Sequence, residues 1–337
     1  MPSCRLITRK TLTGIVSLCP TAIDVIESAF SALATRAVAM PPILRLDIMA
    51  DGGDAAVPWG EVDVKTAHIP GLDSFALKVS PGFFNNPAIG LPSLNGLMIV
   101  LSAQTGLLEA ILLDNGYLTD IRTAAAGGVA ARHLARSDAR RLAIVGTGCQ
   151  ARLQAQAVSM VRTLEHITVW GRNSDAAAVC ASDIAAATGI PTTVSGSVAA
   201  TVARADIVVT TTPAREPVVT AGMIGPGTHV TAMGSDAEEK NEIAPDLLAA
   251  AETLVCDRRE QCARLGELHH ALAADVLAAD HPVAELGDIV AGKAPGRRAP
   301  GDVTICDLTG TGIQDTAIAR YALERAIESG LGMVIDI

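Results

Sequence analysis

The stretch RLAIVGTGCQARLQAQAV, beginning at Arg141, restricts what this chain can fold into more than any other. A run of strand character enters Gly146 and Gly148, and Ala151 completes a GxGxxA pattern where a helical segment begins. The first glycine permits a tight turn, the second lets the backbone approach a pyrophosphate, and the small third residue lets helix pack closely on strand. The helix that follows presents N–H groups and a positive dipole end to phosphate. Gln150 falls in the same turn and joins the candidate cofactor-binding residues. A glycine turn of this kind also occurs in α/β domains that bind no cofactor, so the segments around it carry the weight.

Those segments alternate. Short β-rich runs (LAIVG, ITVWG, TTV, ADIVVTTTP, THVTAMG, TLVCD and VTICDL) are separated by Ala-rich helical stretches, which specifies a parallel sheet with crossover helices. The second of these strands ends in ITVWGRN, where a cofactor with a free ribose 2′-hydroxyl usually meets an acid. None is present. Arg172 can pair with a 2′-phosphate, which leans toward NADP(H), stack on adenine, or face solvent, and Asn173 stands beside it. Thr211, Thr212 and Pro213 end the fourth strand at the carboxyl edge, where such folds bind ligand, or else cap the next helix.

Before about residue 125 the pattern differs. Strand-like pieces cover Ile43 to Ile48, Val62 to His68 and Phe75 to Val79, and MIVLSAQTGLLEAILLD reads as a hairpin turning at Gln104 to Gly106. After Gly310, IQDTAIARYALERAIESG has helical spacing with a charged face, and is expected to pack back on the first domain. The expected architecture is α/β: a Rossmann dinucleotide-binding domain over residues 126–309 and a second α+β domain from residues 1–125 together with 310–337.

Length and composition agree with two domains: 337 residues, 49% hydrophobic and 18% charged, can bury a large core. No apolar run reaches the roughly 18 to 20 residues of a membrane span, and the N-terminus lacks a leader pattern. A cytoplasmic protein is expected. A net charge of −10 with 2% aromatics and no long basic run disfavours a nucleic-acid surface. The seven cysteines form no CxxC pair and the histidines lack ligand spacing, so no metal site is expected. A small-molecule partner remains, and an acidic protein that binds an anion must gather a few cations locally.

The pieces PPILRLD, FALKVSPGFFNN, GLPSLNGLMIVLSAQTGLLEAILLD, TDIRTAAAGGVAARHLA, LAIVGTGCQA, GTHVTAMGSDAEEKNEI and VTICDLTGTGIQDTAIA together resemble the ornithine cyclodeaminase and μ-crystallin family, which includes alanine dehydrogenases and imino-acid reductases. The resemblance implies a homodimer built through the non-Rossmann domain, which then serves substrate binding and dimerisation. It also implies that Arg45 and Arg122 bind substrate, that Lys78 and Asp236 are catalytic, and that Ser93 lies near the substrate. Those residue types suit an amino acid: guanidinium groups hold a carboxylate in fork geometry, a lysine exchanges a proton with nitrogen, and a carboxylate suits an ammonium or iminium group. Each also has a plain structural alternative: salt bridges for the arginines, a solvent-facing position for Lys78, a helix cap for Asp236 and a turn for Ser93.

Where cyclodeaminases usually carry NGHP after the lysine, this chain has Ser80, Pro81, Gly82, Phe83 and Phe84. The likeness is therefore greater to members formerly labelled ectoine-utilisation proteins, among them iminosuccinate reductases that use NADH. It implies an NAD(H)-dependent imine reductase forming an L-amino acid, aspartate from iminosuccinate in the specific case, with NADP(H) left open by Arg172. The alternatives are cyclising deamination with bound NAD, and a non-catalytic binding protein of the μ-crystallin kind.

Overall fold

The computed structural model describes residues 2–49, 59–83 and 85–337. The chain begins with β1 (Ser3–Thr8), α1 (Arg9–Ile15) and α2 (Pro20–Thr35), followed by β2 (Leu44–Ile48), β3 (Gly60–Ala67), β4 (Ser74–Gly82), β5 (Leu97–Ser102) and β6 (Leu108–Leu113). Next come α3 (Tyr117–Leu134), β7 (Arg141–Val145), α4 (Cys149–Val161), β8 (His166–Trp170), α5 (Ser174–Thr188), β9 (Thr192–Val194), α6 (Val198–Val202), β10 (Ile207–Thr210) and β11 (His229–Ala232). The rest is α7 (Pro245–Ala250), β12 (Thr253–Cys256), α8 (Arg259–Leu265), α9 (Glu267–Ala273), β13 (Ala284–Glu285), α10 (Leu286–Val290), β14 (Thr304–Asp307), α11 (Gly312–Glu328) and β15 (Met333–Asp336).

Two compact units result: Met1–Ser17 with Thr35–Arg122 and Thr311–Ile337, and Leu18–Ala34 with Thr123–Gly310. The division falls within α3. Residues 18–34, expected with the first domain, group with the second unit instead. The reason is packing: Ile23, Ile26 and Phe30 of α2 are fully buried. Gly128 of α3 makes room for Ile23, and Gly287 for the Phe30 backbone. The amphipathic pattern of a helix says that one face is covered, not by which neighbour.

The first unit is built on a seven-stranded sheet in the order β15-β1-β6-β5-β4-β3-β2, with β1 and β6 parallel and the other pairs antiparallel. The expected hairpin is β5–β6, its turn closed by Ser102 Oγ accepting from the N–H groups of Gln104 and Thr105, with Gly106 at φ +70°. Side chains alternate across a strand. Ala76, Lys78, Met98, Val100, Ala110 and Leu112 are all buried, whereas Leu77, Val79, Leu97, Ile99 and Leu101 on the opposite face are only half-buried. As the tail pattern predicted, α11 packs in this unit: Thr316 Oγ1 donates to Ala67 O at 2.8 Å and accepts from Ala76 N at 3.2 Å.

The second unit holds an all-parallel eight-stranded sheet, β13-β12-β14-β11-β10-β7-β8-β9. Every residue of β10, β11, β12 and β14 is buried, as expected of strands covered on both faces. One apolar layer takes Ala143, Val145, Val208 and Val230, the other Leu142, Ile144, Ile207 and Val209. This is the Rossmann arrangement, with β14 inserted between β11 and β12. Among the described residues, no single helix is long and apolar enough to cross a membrane.

Candidate active site

In the second unit the strand-to-helix turn after β7 has the shape a dinucleotide requires. Gly146 sits at φ +132°, and a Cβ there would stand 2.3 Å from Thr211 Oγ1. Its N–H donates to Trp170 O at 2.8 Å, locking the turn against the end of β8. Gly148 is different: its φ of −80° suits any residue, and a Cβ there would meet nothing within 4 Å. That open space lies at the N-terminus of α4, which has no side-chain cap, and fits an incoming phosphate group. Ala151 is fully buried, and Arg152 staples the turn by donating to Thr147 O at 2.6 Å and Gly148 O at 3.1 Å.

A cleft of about 910 Å³ opens above this turn. Gly146, Gly148, Arg172, Asn173 and the Thr211–Pro213 segment line it, together with Arg215, which the sequence reading did not single out. Asn173 also has a structural task, since its side chain caps α5 by accepting from Ala176 N at 2.9 Å. Gln150 is not in the lining; it accepts from Gln154 Nε2 at 3.3 Å on α4.

In the first unit Lys78 and Arg122 meet around an acid not foreseen from the sequence. Asp315, fully buried in the first turn of α11, lies 3.1 Å from Lys78 Nζ through Oδ2 and 3.0 Å from Arg122 Nε through Oδ1. Gln314 Oε1 accepts from Arg122 Nη1 at 3.0 Å. Gly312 makes the approach possible, because a Cβ there would stand 2.3 Å from Thr66 O. These ion pairs are close but poorly aligned, and neither Asp315 oxygen, nor Arg122 Nε, nor Gln314 Nε2 has an aligned hydrogen-bond partner. Orphaned buried polar atoms around two cations are the expected appearance of a site shaped for an anionic polar ligand.

Lys65, also buried, is the cross-strand partner of Lys78. Two like charges directly opposite are destabilising, which is informative in a core. Burial, helped by Arg122 and Lys65 and opposed by Asp315, brings the Lys78 ammonium down to about 7. Asp315 is held below the usual carboxylate range: burial raises it, but Lys78 and Arg122 outweigh that. The cluster therefore sets two cations against Asp315 and includes one group that exchanges a proton near neutral pH.

Arg45 is not joined to this cluster. On the edge strand β2 it pairs with Asp47 at 3.1 Å and Glu61 at 2.6 Å, with 38% of its side chain exposed. Register places it opposite Asp63, two strands away from β4, because the acids of its own hairpin reach it first. Ser93 is half-buried, and its carbonyl accepts from Phe83 N at 2.7 Å, pinning the loop beyond β4. Asp236 lies in the other unit, exposed on the loop after β11 and 2.5 Å from Lys240 Nζ; it caps no helix. Cys256, Cys262 and Asp307 have possible ligand atoms within 4.8 Å of one another. Burial raises the Cys256 thiol to about 11, so it stands there as a neutral S–H group.

Comparison with known proteins places this geometry in a wider group. A profile of the ornithine cyclodeaminase/mu-crystallin family matches residues 7–330. A provisionally named dehydrogenase of Rhizobium meliloti is 52% identical and an uncharacterised cyclodeaminase of Sinorhizobium fredii 50%, each over 100% of both chains. Among solved structures, the Δ1-pyrroline-2-carboxylate reductase of Thermococcus litoralis, in complex with NADH and L-proline, superposes with a TM-score of 0.91 at 29% identity, over 98% of this chain and 99% of that one.

Proposed function

This chain belongs to the ornithine cyclodeaminase/mu-crystallin family, and from that premise we propose that it is an imine reductase, using a nicotinamide cofactor to turn a small imino acid into an L-amino acid. Iminosuccinate to L-aspartate is the preferred case. The observation that carries the reading is the buried pair Lys78 and Arg122 around the carboxylate of Asp315, with polar atoms of the group left without an aligned partner. Buried polar atoms without aligned partners beside two cations are costly unless a ligand completes them, and a dicarboxylic imino acid would do so.

The turn at Gly146 and Gly148 would hold the pyrophosphate, with the adenosine half toward Arg172. When bound, the reduced nicotinamide supplies a hydride to the imine carbon. The protein's own part is positioning and proton supply. Arg122 holds a carboxylate, and Lys78, poised near pH 7, gives its proton to the imine nitrogen as that nitrogen becomes an amine. The family resemblance also assigns Arg45 to a substrate carboxylate and Asp236 to the iminium.

A panel of 2-oxo acids with ammonia or methylamine, including oxaloacetate, assayed separately with NADH and NADPH, tests this. Oxaloacetate with ammonia should be the preferred pair. Ammonia release from ornithine without net cofactor oxidation would replace the reading with cyclodeamination, and retained cofactor without any turnover would point to a binding protein. In the same assay Arg172→Ala should weaken NADPH use much more than NADH use; equal loss, or none, would mean that Arg172 does not read the 2′-phosphate.

The half-buried aliphatic face of the first unit's sheet supports a homodimer. Leu77, Val79, Leu97, Ile99 and Leu101 form a contiguous apolar surface, a kind of patch that marks association. Ile99→Arg should yield a folded monomer in analytical ultracentrifugation. A dimer that survives this change would place the interface elsewhere.

A further inference from the structure

We propose that Glu242, a wholly buried carboxylate behind the cofactor cleft, tunes the bound nicotinamide by favouring its oxidised, positively charged form. Glu242 is fixed where β10 and β11 end. It accepts from Thr210 Oγ1 at 2.7 Å, from the backbone N and Oγ1 of Thr212 at 2.5 and 2.7 Å, and from Gly234 N at 2.8 Å. Thr212 lines the cleft, so a single residue separates the carboxylate from the cofactor space. Gly234 lets the loops close this tightly, since a Cβ there would stand 2.2 Å from Thr212 O and 2.5 Å from Glu242 Oε2.

Burial raises the Glu242 carboxyl above its ordinary range, and the four donors that converge on it from Thr210, Thr212 and Gly234 oppose this and favour its charged form. The neighbouring acid takes the opposite role. Glu267, also fully buried, accepts from the backbone N–H groups of Glu242 and Ile243 at 2.9 and 3.0 Å and meets the Ser235 hydroxyl. Burial, then Asp307 and Glu242, raise it to about 8, so Glu267 is the acid of the pair that more readily holds a proton. In a Rossmann domain whose adenosine half points toward β8, the other half of the cofactor runs toward β10 and β11, the two strand ends that Glu242 ties together. The oxidised ring carries a positive charge that the reduced ring lacks. A nearby negative charge in a buried site stabilises the first and not the second, which strengthens the reduced cofactor as a hydride donor. Glu242 is thus a positioning and tuning residue that touches neither substrate nor cofactor.

The inference rests on dinucleotide binding, not on the identity of the substrate, and it is tested by titrating the folded protein with NAD⁺ and with NADH. Glu242→Gln should raise the Kd for NAD⁺ on the order of tenfold more than the Kd for NADH. Glu242→Asp, which keeps the charge, should restore the parent ratio even if both ligands bind less well. Equal losses of NAD⁺ and NADH in Glu242→Gln would reduce the residue to a structural brace and overturn the proposal. If Glu242→Gln does not fold, Thr210→Val decides. It removes one donor without touching the cleft lining, so the carboxylate protonates more readily, and as the pH is lowered the Kd ratio should move in the same direction at a higher pH than in the parent. A ratio unmoved in Thr210→Val would then overturn the proposal. Failure of the parent protein to bind either nucleotide would instead remove the cofactor reading itself.

Discussion

Lys78→Ala should nearly eliminate reduction of the imine formed from oxaloacetate and ammonia while leaving cofactor binding and assembly intact, and Arg122→Ala should do the same. A charge-assisted hydrogen bond to a carboxylate contributes roughly 1.5 to 3 kcal/mol, and lost orientation at the imine carbon adds a factor of about a hundred. Several orders of magnitude in kcat/KM follow. The variants should fold, because Asp315 keeps one cationic partner in each: Arg122 in the first, Lys78 in the second. Removing Asp315 is another matter, since it takes the ion-pair partner from two buried cations and costs roughly 3 to 5 kcal/mol of stability.

The parent enzyme should carry a matching pH signature. Lys78 donates as an ammonium whose pKa is about 7, so reductive kcat/KM should be level below that pH and fall tenfold per unit above it. Oxidation of the amino acid needs the neutral amine and should show the opposite slope. Lys78→Ala should lose this limb altogether. Near-normal rates in Lys78→Ala or Arg122→Ala would remove that residue from the site, and normal rates in both would leave the buried cluster a structural ion pair without catalytic work.

Gly148→Val should abolish cofactor binding without unfolding the chain. The position has ordinary φ, and an added Cβ meets no protein atom within 4 Å. What it fills is the volume at the start of α4 into which a pyrophosphate must fit. Gly146→Ala is a useful contrast, because it combines a left-handed φ with a 2.3 Å approach to Thr211 Oγ1 and should destabilise the fold itself. Calorimetric titration of folded Gly148→Val decides the matter: unchanged affinity would place the dinucleotide elsewhere and remove the basis of the functional reading.

What was legible in the amino-acid order was whatever depends on neighbours a few residues apart. The GxGxxA turn needs particular residues at fixed offsets, the parallel strands announce themselves as buried apolar runs, and the β5–β6 hairpin and α11 follow from two-residue and helical periodicity. Lys78 and Arg122 stood out through the family resemblance, but their meeting point did not. Asp315 looked like an ordinary acid on a tail helix, and only the packing of Gly312 against Thr66 carries it onto β4. Glu242 lies in the acid-rich run SDAEEKNEI and was not singled out, yet it is fully buried where donors from the ends of β10 and β11 converge on it. Arg45 shows the converse, an arginine singled out by motif whose hairpin neighbours Asp47 and Glu61 hold it at the edge. Turns and periodicity are local, so the sequence by itself determined the elements. Which charges lose their water, and which partner then compensates them, depends on contacts between distant segments, and that only the tertiary structure decided.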